Sequence, residues 1–265
     1  DVLIMSEIKS KRDISRYEYA YRFIRLYEYT EEKLSKMAKR KYRWLGAPIA
    51  GEMNRMRDEI MQIFDPYYES SKGLKEQCLS VISGLMGLQK HLLALWNIEG
   101  YTEKRMIKWA SLIDMEINLL ADLGGLRKRD RYMFILDRGA ISRLECMNCM
   151  SKLHKLIYTK SISLPSYCRE TKGSYMMELA DTALYHLARG NRKPPETGKE
   201  YEDRKKDFSR AMNCLRSMEQ PMFVVFNLMD YSNETMEEIA DLITETEKLL
   251  KGLMESDEER FAALL

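Results

Sequence analysis

Apolar residues return along this chain at steps of three and four, the spacing of one face of an α-helix. Over residues 12–40 the positions Tyr19, Phe23, Leu26, Tyr27, Leu34 and Met37 carry the pattern. Pro48 suits the first turn of a second helix that runs to Phe64, where Asp65-Pro66 stops it. A third helix over 71–97 places Cys78, Val81, Ile82, Leu85, Leu88, Leu92 and Leu95 on one side. Thr102 caps a fourth, which ends before Gly124-Gly125. The same reading gives a fifth helix over 131–158 and a sixth over 170–189. A seventh covers 199–228 with a kink at Pro221, and an eighth is capped by Ser232 and ends at Gly252. No stretch alternates convincingly at the period of a strand, so the prediction is an all-α chain.

Helices three and four have an echo 130 residues further on. Leu85 falls on Leu215, Asn97 on Asn227, Tyr101 on Tyr231, Met106 on Met236, and Leu119-Leu120 on Leu249-Leu250. Trp96 pairs with Phe226, and the capping Thr102 with Ser232. A slightly different offset sets Ser15-Arg16 on Ser142-Arg143, Glu18 on Glu145 and Leu26 on Leu153. Matches between apolar positions are cheap among amphipathic helices, but matched polar and turn residues are not. The chain therefore reads as two diverged copies of one unit, two tandem antiparallel four-helix bundles over 1–130 and 131–265.

Composition agrees with helix. Among 265 residues there are only 13 Gly and 6 Pro, so loops are few, while Met is abundant at 19. No apolar run approaches the ~18–20 residues of a membrane span, and the start does not resemble a signal peptide. Five scattered cysteines fit a reducing interior. These features predict a cytoplasmic protein with no membrane partner.

Charge changes the picture more. The 43 Lys and Arg against 41 Asp and Glu leave only +2, but the balance is uneven. Up to Tyr132 there are 24 basic and 19 acidic residues; after it there are 19 and 22. Lys33, Lys36, Lys39, Arg40, Lys41 and Arg43 fall within an eleven-residue stretch that holds no acid, with Tyr42 and Trp44 interleaved. Cations neutralise phosphates and flat rings stack on exposed bases, so this mixture suits RNA. Arg127, Lys128, Arg129 and Arg131 form a second cluster between the copies. Arg189, Arg192 and Lys193, around the Pro194-Pro195 loop, and Arg204 are the candidates in the second copy. A charge run is more often a solvated helix face.

Catalytic chemistry has little material. Cys146-x-x-Cys149 lies inside an amphipathic helix, without the second ligand pair that zinc needs. His91, His154 and His186 are isolated within helical patterns. No glycine-rich phosphate loop or nucleophile elbow occurs. The Arg-x-x-x-x-x-His geometry of helical toxin ribonucleases is missing after Arg189. No catalytic residue, metal or cofactor is assigned.

The run Asn191-Arg192-Lys193-Pro194-Pro195-Glu196-Thr197 is followed by Glu200-Tyr201-Glu202-Asp203-Arg204 and Cys214-Leu215. Leu249-Leu250-Lys251-Gly252-Leu253 and Ser256-Asp257-Glu258-Glu259-Arg260 come later, and Leu164-Pro165-Ser166-Tyr167-Cys168-Arg169 precedes them. In combination these resemble the four-helix-bundle proteins related to the accessory variability protein of diversity-generating retroelements. The resemblance covers about 120 residues of the second half; the first half lacks the Asn–Pro loop and shares it only through the repeat. It implies a non-enzymatic bundle that assembles as a homo-oligomeric ring and binds RNA with a reverse-transcriptase-like protein. A protein–protein adaptor or antitoxin-like bundle with no nucleic acid is the alternative, motivated by the acidic stretch over 230–259 and the Met-rich faces.

Overall fold

A computed structural model describes residues 17–64, 73–99, 103–126, 144–229 and 232–264, the side chains of residues 40, 42, 64, 103 and 226–229 excepted. Among the described residues the chain is all-α, without a strand. The helices are α1 (Glu18–Leu34), α2 (Lys39–Lys41), α3 (Ala47–Phe64), α4 (Leu74–Glu99) and α5 (Glu103–Leu123). They continue as α6 (Glu145–Ser163), α7 (Ser166–Cys168), α8 (Ser174–Gly190), α9 (Gly198–Met229) and α10 (Asn233–Arg260). A π-helical turn, Tyr42–Gly46, joins α2 to α3, and another, Arg169–Gly173, joins α7 to α8. The chain divides into two compact units. One comprises Asp1–Leu95 with Tyr101–Leu136, the other Trp96–Gly100 with Asp137–Leu265.

The order of elements in the second half repeats that in the first. Glu18 and Glu145, Lys39 and Ser166, Tyr42 and Arg169, and Ala47 and Ser174 open corresponding elements, each pair 127 residues apart. Glu103 and Asn233 open α5 and α10 at the offset of 130. The π-turns end on Gly46 and Gly173, both buried. A Cβ on Gly173 would lie 3.2 Å from Leu164 Cδ1 and 3.4 Å from Ser161 Cβ, so glycine lets the widened turn rest on the end of α6.

Several boundaries differ from the sequence reading: the helix expected over 131–158 opens only at Glu145, after an extended Leu144, and runs on to Ser163. The first helix stops at Leu34, and the basic run opens the next helical stretch instead of closing this one. Continued to residue 40, α1 would stack Lys33, Lys36 and Arg40 at like-charged three- and four-residue spacings. Pro48 does lie in the first turn of α3, but a short helix and a π-turn that the sequence reading did not predict precede it. Gly252 does not end the last helix, which runs on to Arg260. The helix propensity lost at Gly252, ~1 kcal/mol, is offset beyond it by the buried Arg204–Asp257 ion pair and the Tyr201–Phe261 ring contact. The Ser232 cap does form, accepting the Thr235 N–H at 3.3 Å. Gly125, at φ +59°, closes α5 as a left-handed residue, with the Leu126 N–H bonded back to the Ala121 carbonyl.

In the first unit α1 packs on α3 and α5. Its core holds Phe23, Leu26, Met53, Met56, Leu85, Leu88 and Trp109, all buried. Thr30 donates to the Leu26 carbonyl and accepts the Trp109 indole N–H at 2.9 Å, which satisfies the one polar atom of that ring. The helix α4 is long and apolar enough to cross a membrane by length and composition, contrary to the sequence reading; more than half of that stretch is buried inside the fold. Between Gln77 and Ile98 the sequence carries a single formal charge, Lys90, so the apolar run is barely interrupted.

In the second unit α6 packs on α8 and α10, and α9 packs on α8 and α10. A buried polar network ties it together. His154 bonds Asp181 Oδ1 through Nε2 at 2.8 Å, and Tyr158 donates to Asp181 Oδ2 at 3.1 Å. The Asn97 amide N–H donates to His154 Nδ1 at 3.0 Å, which assigns the Nε2–H tautomer to the imidazole. At the corresponding positions of the first unit, Tyr27 donates to Asn54 at 2.7 Å. Both units thus join their first helix to the next long one by a side-chain hydrogen bond at one shared place.

Candidate nucleic-acid interface

One end of the first unit gathers cations from three elements. The helix α1 ends in Lys33, and four residues separate Leu34 from Lys39, so Lys39, Lys41 and Arg43 start the next helical stretch beside that end. The antiparallel α5 brings its own start to the same place, for the Tyr29 hydroxyl donates to the Arg105 carbonyl at 3.2 Å. The ammonium groups of Lys33 and Lys108 lie 4.6 and 4.7 Å from the centre of the Tyr29 ring. Lys39, Lys41, Arg43, Lys104, Arg105 and Lys108 are all exposed.

Local electrostatics favour an anion here. A helix start carries partial positive charge, and acidic side chains usually occupy it. Neither α2 nor α3 has an acid in its first turn. Lys104 and Arg105 follow the single Glu103 at the start of α5. Lys36 and Lys33 grip Glu32 and pull its carboxyl down to about 2. Arg43 lies over the half-buried Trp44 ring at 5.2 Å, at the π-turn. Below this end a groove of about 390 Å³ runs between α1 and α5, bordered by Arg22, Arg25 and Lys108 as well as Glu28 and Glu32.

The residues singled out by sequence divide into three groups. Lys36, Lys39, Lys41, Arg43 and Trp44 fall at or beside this end, Lys36 being paired with Glu32 at 2.7 Å. Arg127, Lys128, Arg129 and Arg131, and the Arg40 side chain, lie outside the described residues. In the second unit the picture is corrected. Arg204 is 9% exposed, its guanidinium bound to Asp257 and to the Gly190 carbonyl and stacked 4.7 Å over the Phe208 ring. An arginine so engaged and so buried holds the bundle and does not present its guanidinium to a phosphate in solvent. Arg189 grips Asp207 with Nε at 2.7 Å and Nη2 at 2.6 Å, sharing that carboxylate with His186 Nδ1. Lys193 pairs with Glu200 at 2.7 Å and, with two backbone N–H groups, holds that carboxyl below its ordinary range. Arg192, in the same loop, is exposed.

Sequence reasoning missed Lys104, Arg105 and Lys108. They are spread along a helix start and form no run, so only the antiparallel pairing of α1 with α5 brings them to the cluster. The Cys pair is a packing feature. Cys146 is buried and donates to the Thr246 carbonyl at 3.7 Å, and burial pushes its thiol up to about 12. Among the described residues no group of three His, Cys, Asp or Glu converges as a metal site. No family model matches the chain, nor does any curated protein or solved structure.

Proposed function

We propose that the chain is a duplicated pair of antiparallel four-helix bundles acting as a non-enzymatic accessory protein in the cytoplasm. Its first unit binds RNA through the basic end, and its second engages a reverse-transcriptase-like protein, so that the two copies together organise a ribonucleoprotein. Duplication is supported by burial as well as by element order. Phe23 and Met150, Leu26 and Leu153, Met53 and Ala180, Leu85 and Leu215, Ile113 and Ile243, and Leu120 and Leu250 are buried at corresponding positions. The reverse-transcriptase partner rests on the family resemblance alone.

One observation carries the RNA reading: two helix starts in the first unit are loaded with cations where the helix dipole favours acids. A fold that only needed solubility could have placed those charges at helix ends at no electrostatic cost. A polyanion recovers the energy, because its phosphates meet both the lysines and the helix starts.

The test is a titration of the full chain with a labelled single-stranded RNA at several salt concentrations. Affinity is expected to fall log-linearly with salt between about 50 and 200 mM, as phosphate neutralisation requires. No binding at low salt, or binding indifferent to salt, overturns the proposal and leaves the adaptor reading. The same titration on Lys39→Ala/Lys41→Ala/Arg43→Ala must show a shallower salt slope.

A further inference from the structure

The seam between α9 and α10 in the second unit is open. It forms a groove of about 570 Å³ with Met222, Phe223, Met236, Ala240 and Ile243 as its apolar lining. Phe223 is 66% exposed, a large cost for an aromatic ring with nothing to gain from water. At the corresponding position of the first unit stands Leu93, which is 3% exposed. The two copies therefore treat one face of their third long helix in opposite ways. Pro221, where the first copy has His91, removes the N–H that would bond the Ser217 carbonyl two residues before Phe223.

Charge says what fits the seam. Glu219 borders it, and Glu237 and Asp241 are exposed on α10 beside Met236 and Ala240. The first copy has Gln89, Ile107 and Ser111 at those three positions, so the acids accompany the opening. Arg216 is the cation of the lining, and it already lies 3.8 Å from Glu247. Flexible Met222 and Met236 can remould to several side-chain shapes. An apolar trough lined by Glu219, with Glu237 and Asp241 exposed on the helix that forms one wall, is complementary to a helix that is apolar on one face and cationic on its flanks.

We propose that this seam docks a basic amphipathic helix of a partner protein. The proposal deepens the partner half of the function put forward above, and it needs no RNA. The docked helix sets leucine-like side chains against Phe223 and the two methionines. Its lysines or arginines reach Glu219, Glu237 and Asp241.

The experiment uses the full chain and a labelled peptide of about 18 residues, five helical turns, with Leu and Lys placed to make one apolar and one basic face. A second peptide carries Glu in place of every Lys. The Lys peptide is expected to bind, the Glu peptide at least tenfold more weakly. Phe223→Ser and Glu237→Lys/Asp241→Lys should each weaken the Lys peptide about tenfold, while RNA affinity stays unchanged. Glu258→Lys/Glu259→Lys, on the same helix but away from the seam, should not matter. A photoreactive group in the peptide should mark residues 216–244. Equal binding of both peptides, equal loss on reversing Glu258 and Glu259, or marking elsewhere overturns the proposal. So does loss of RNA affinity in Phe223→Ser, which makes the seam an RNA surface, or sedimentation showing that the seam joins two copies. Both Phe223 and the rim acids are exposed, so these variants keep the fold, which circular dichroism checks.

Discussion

The same end of the fold carries opposite charge in the two units. Lys104 and Lys108 at the start of α5 correspond to Glu234 and Glu238 at the start of α10. Arg43 in the first π-turn corresponds to Glu170 in the second. The interior behind these positions has kept its pattern: Trp109 and Ile239, Ile113 and Ile243, and Glu116 and Thr246 are buried pair by pair. Packing fixes where a bundle needs bulk, so interior positions stay comparable through large changes of side chain. Charge on an exposed helix start is free to diverge by tenths of a kcal/mol to ~1 kcal/mol per residue. The acids of α10 need no special explanation, because a helix start favours them. The lysines of α5 break that rule, and broken local rules concentrate at functional sites.

The interiors also differ in how much they depend on charge, and the largest predicted effects lie there. In the second unit Arg204 and Asp257, at 9% and 2% exposure, hold α9 to the last turns of α10. The position of Arg204 is taken in the first unit by exposed Leu74, so that unit lacks this clamp. Asp257→Ala leaves a buried guanidinium without its carboxylate and should cost about 3–5 kcal/mol. Hydrogen exchange should show faster opening confined to the second unit. Loss spread evenly over both units would break the comparison. Replacing both partners, Arg204→Met with Asp257→Leu, should recover most of the stability.

The next effect sharpens the shared hydrogen bond between the first helix and the following long one. Asp181→Ala strands the Tyr158 hydroxyl and the His154 N–H in the core, which should cost roughly 2–3 kcal/mol. Asn54→Ala, at the matching but exposed place, should cost well under 1 kcal/mol. Burial of Tyr158 beside Asp181 also pushes its hydroxyl well above the ordinary tyrosine range, so it stays a donor across the whole accessible pH range. Chemical denaturation of the two variants measures the contrast. Equal losses would mean that burial does not set the two contacts apart.

The all-helical class was legible in the sequence because most of the helices carry a clear stripe, and caps such as Ser232 mark where they start. Boundaries were less so. Periodicity did not locate the π-turns, because each covers only five residues, too few to establish a period of its own. The end of α10 depended on a contact 53 residues away, between Arg204 and Asp257, which no local pattern contains. The basic run over 33–43 was visible as composition. Its three companions on α5 became neighbours only through antiparallel packing, and Arg204, read as a ligand for phosphate, became a core residue for the same reason.

Charge reversal tests the divergence of the two ends directly. Lys104→Glu/Lys108→Glu puts at the start of α5 the acids that stand at the start of α10, and RNA affinity at low salt should fall about tenfold to thirtyfold. It should also stabilise α5 slightly, because acids suit a helix start. The opposite changes, Glu234→Lys/Glu238→Lys, should destabilise α10 by a few tenths of a kcal/mol each and leave the first unit's RNA binding in place. Affinity and melting temperature moving in opposite directions is the signature of residues kept for binding. If both fall together, Lys104 and Lys108 support the fold instead.

The smallest effect concerns Glu116, fully buried in the first unit, with neither carboxylate oxygen hydrogen-bonded to a protein group. Its counterpart Thr246 satisfies its hydroxyl on the Leu242 carbonyl at 2.6 Å. Burial raises the Glu116 carboxyl well above the ordinary range, with Arg22 pulling weakly the other way. It also helps push the thiol of Cys78 up to about 11, after burial itself. A group whose pKa is raised on folding supports the fold fully below its unfolded pKa and loses that support as pH rises through the folded value. The first unit should therefore weaken between the ordinary carboxylate range and the raised folded value, while the second unit does not follow. Glu116→Met, of similar shape and without charge, should stabilise the first unit by on the order of 1–2 kcal/mol at pH 7. The gain should shrink as pH falls below the ordinary carboxylate range, where the wild-type carboxyl is protonated in both states. Denaturation followed by fluorescence in a Trp44→Phe/Trp96→Phe background, which leaves Trp109 in the core of the first unit as the reporter, reads this. A gain that ignores pH would show that Glu116 stays protonated throughout, and a loss at every pH that its carboxyl has found a partner.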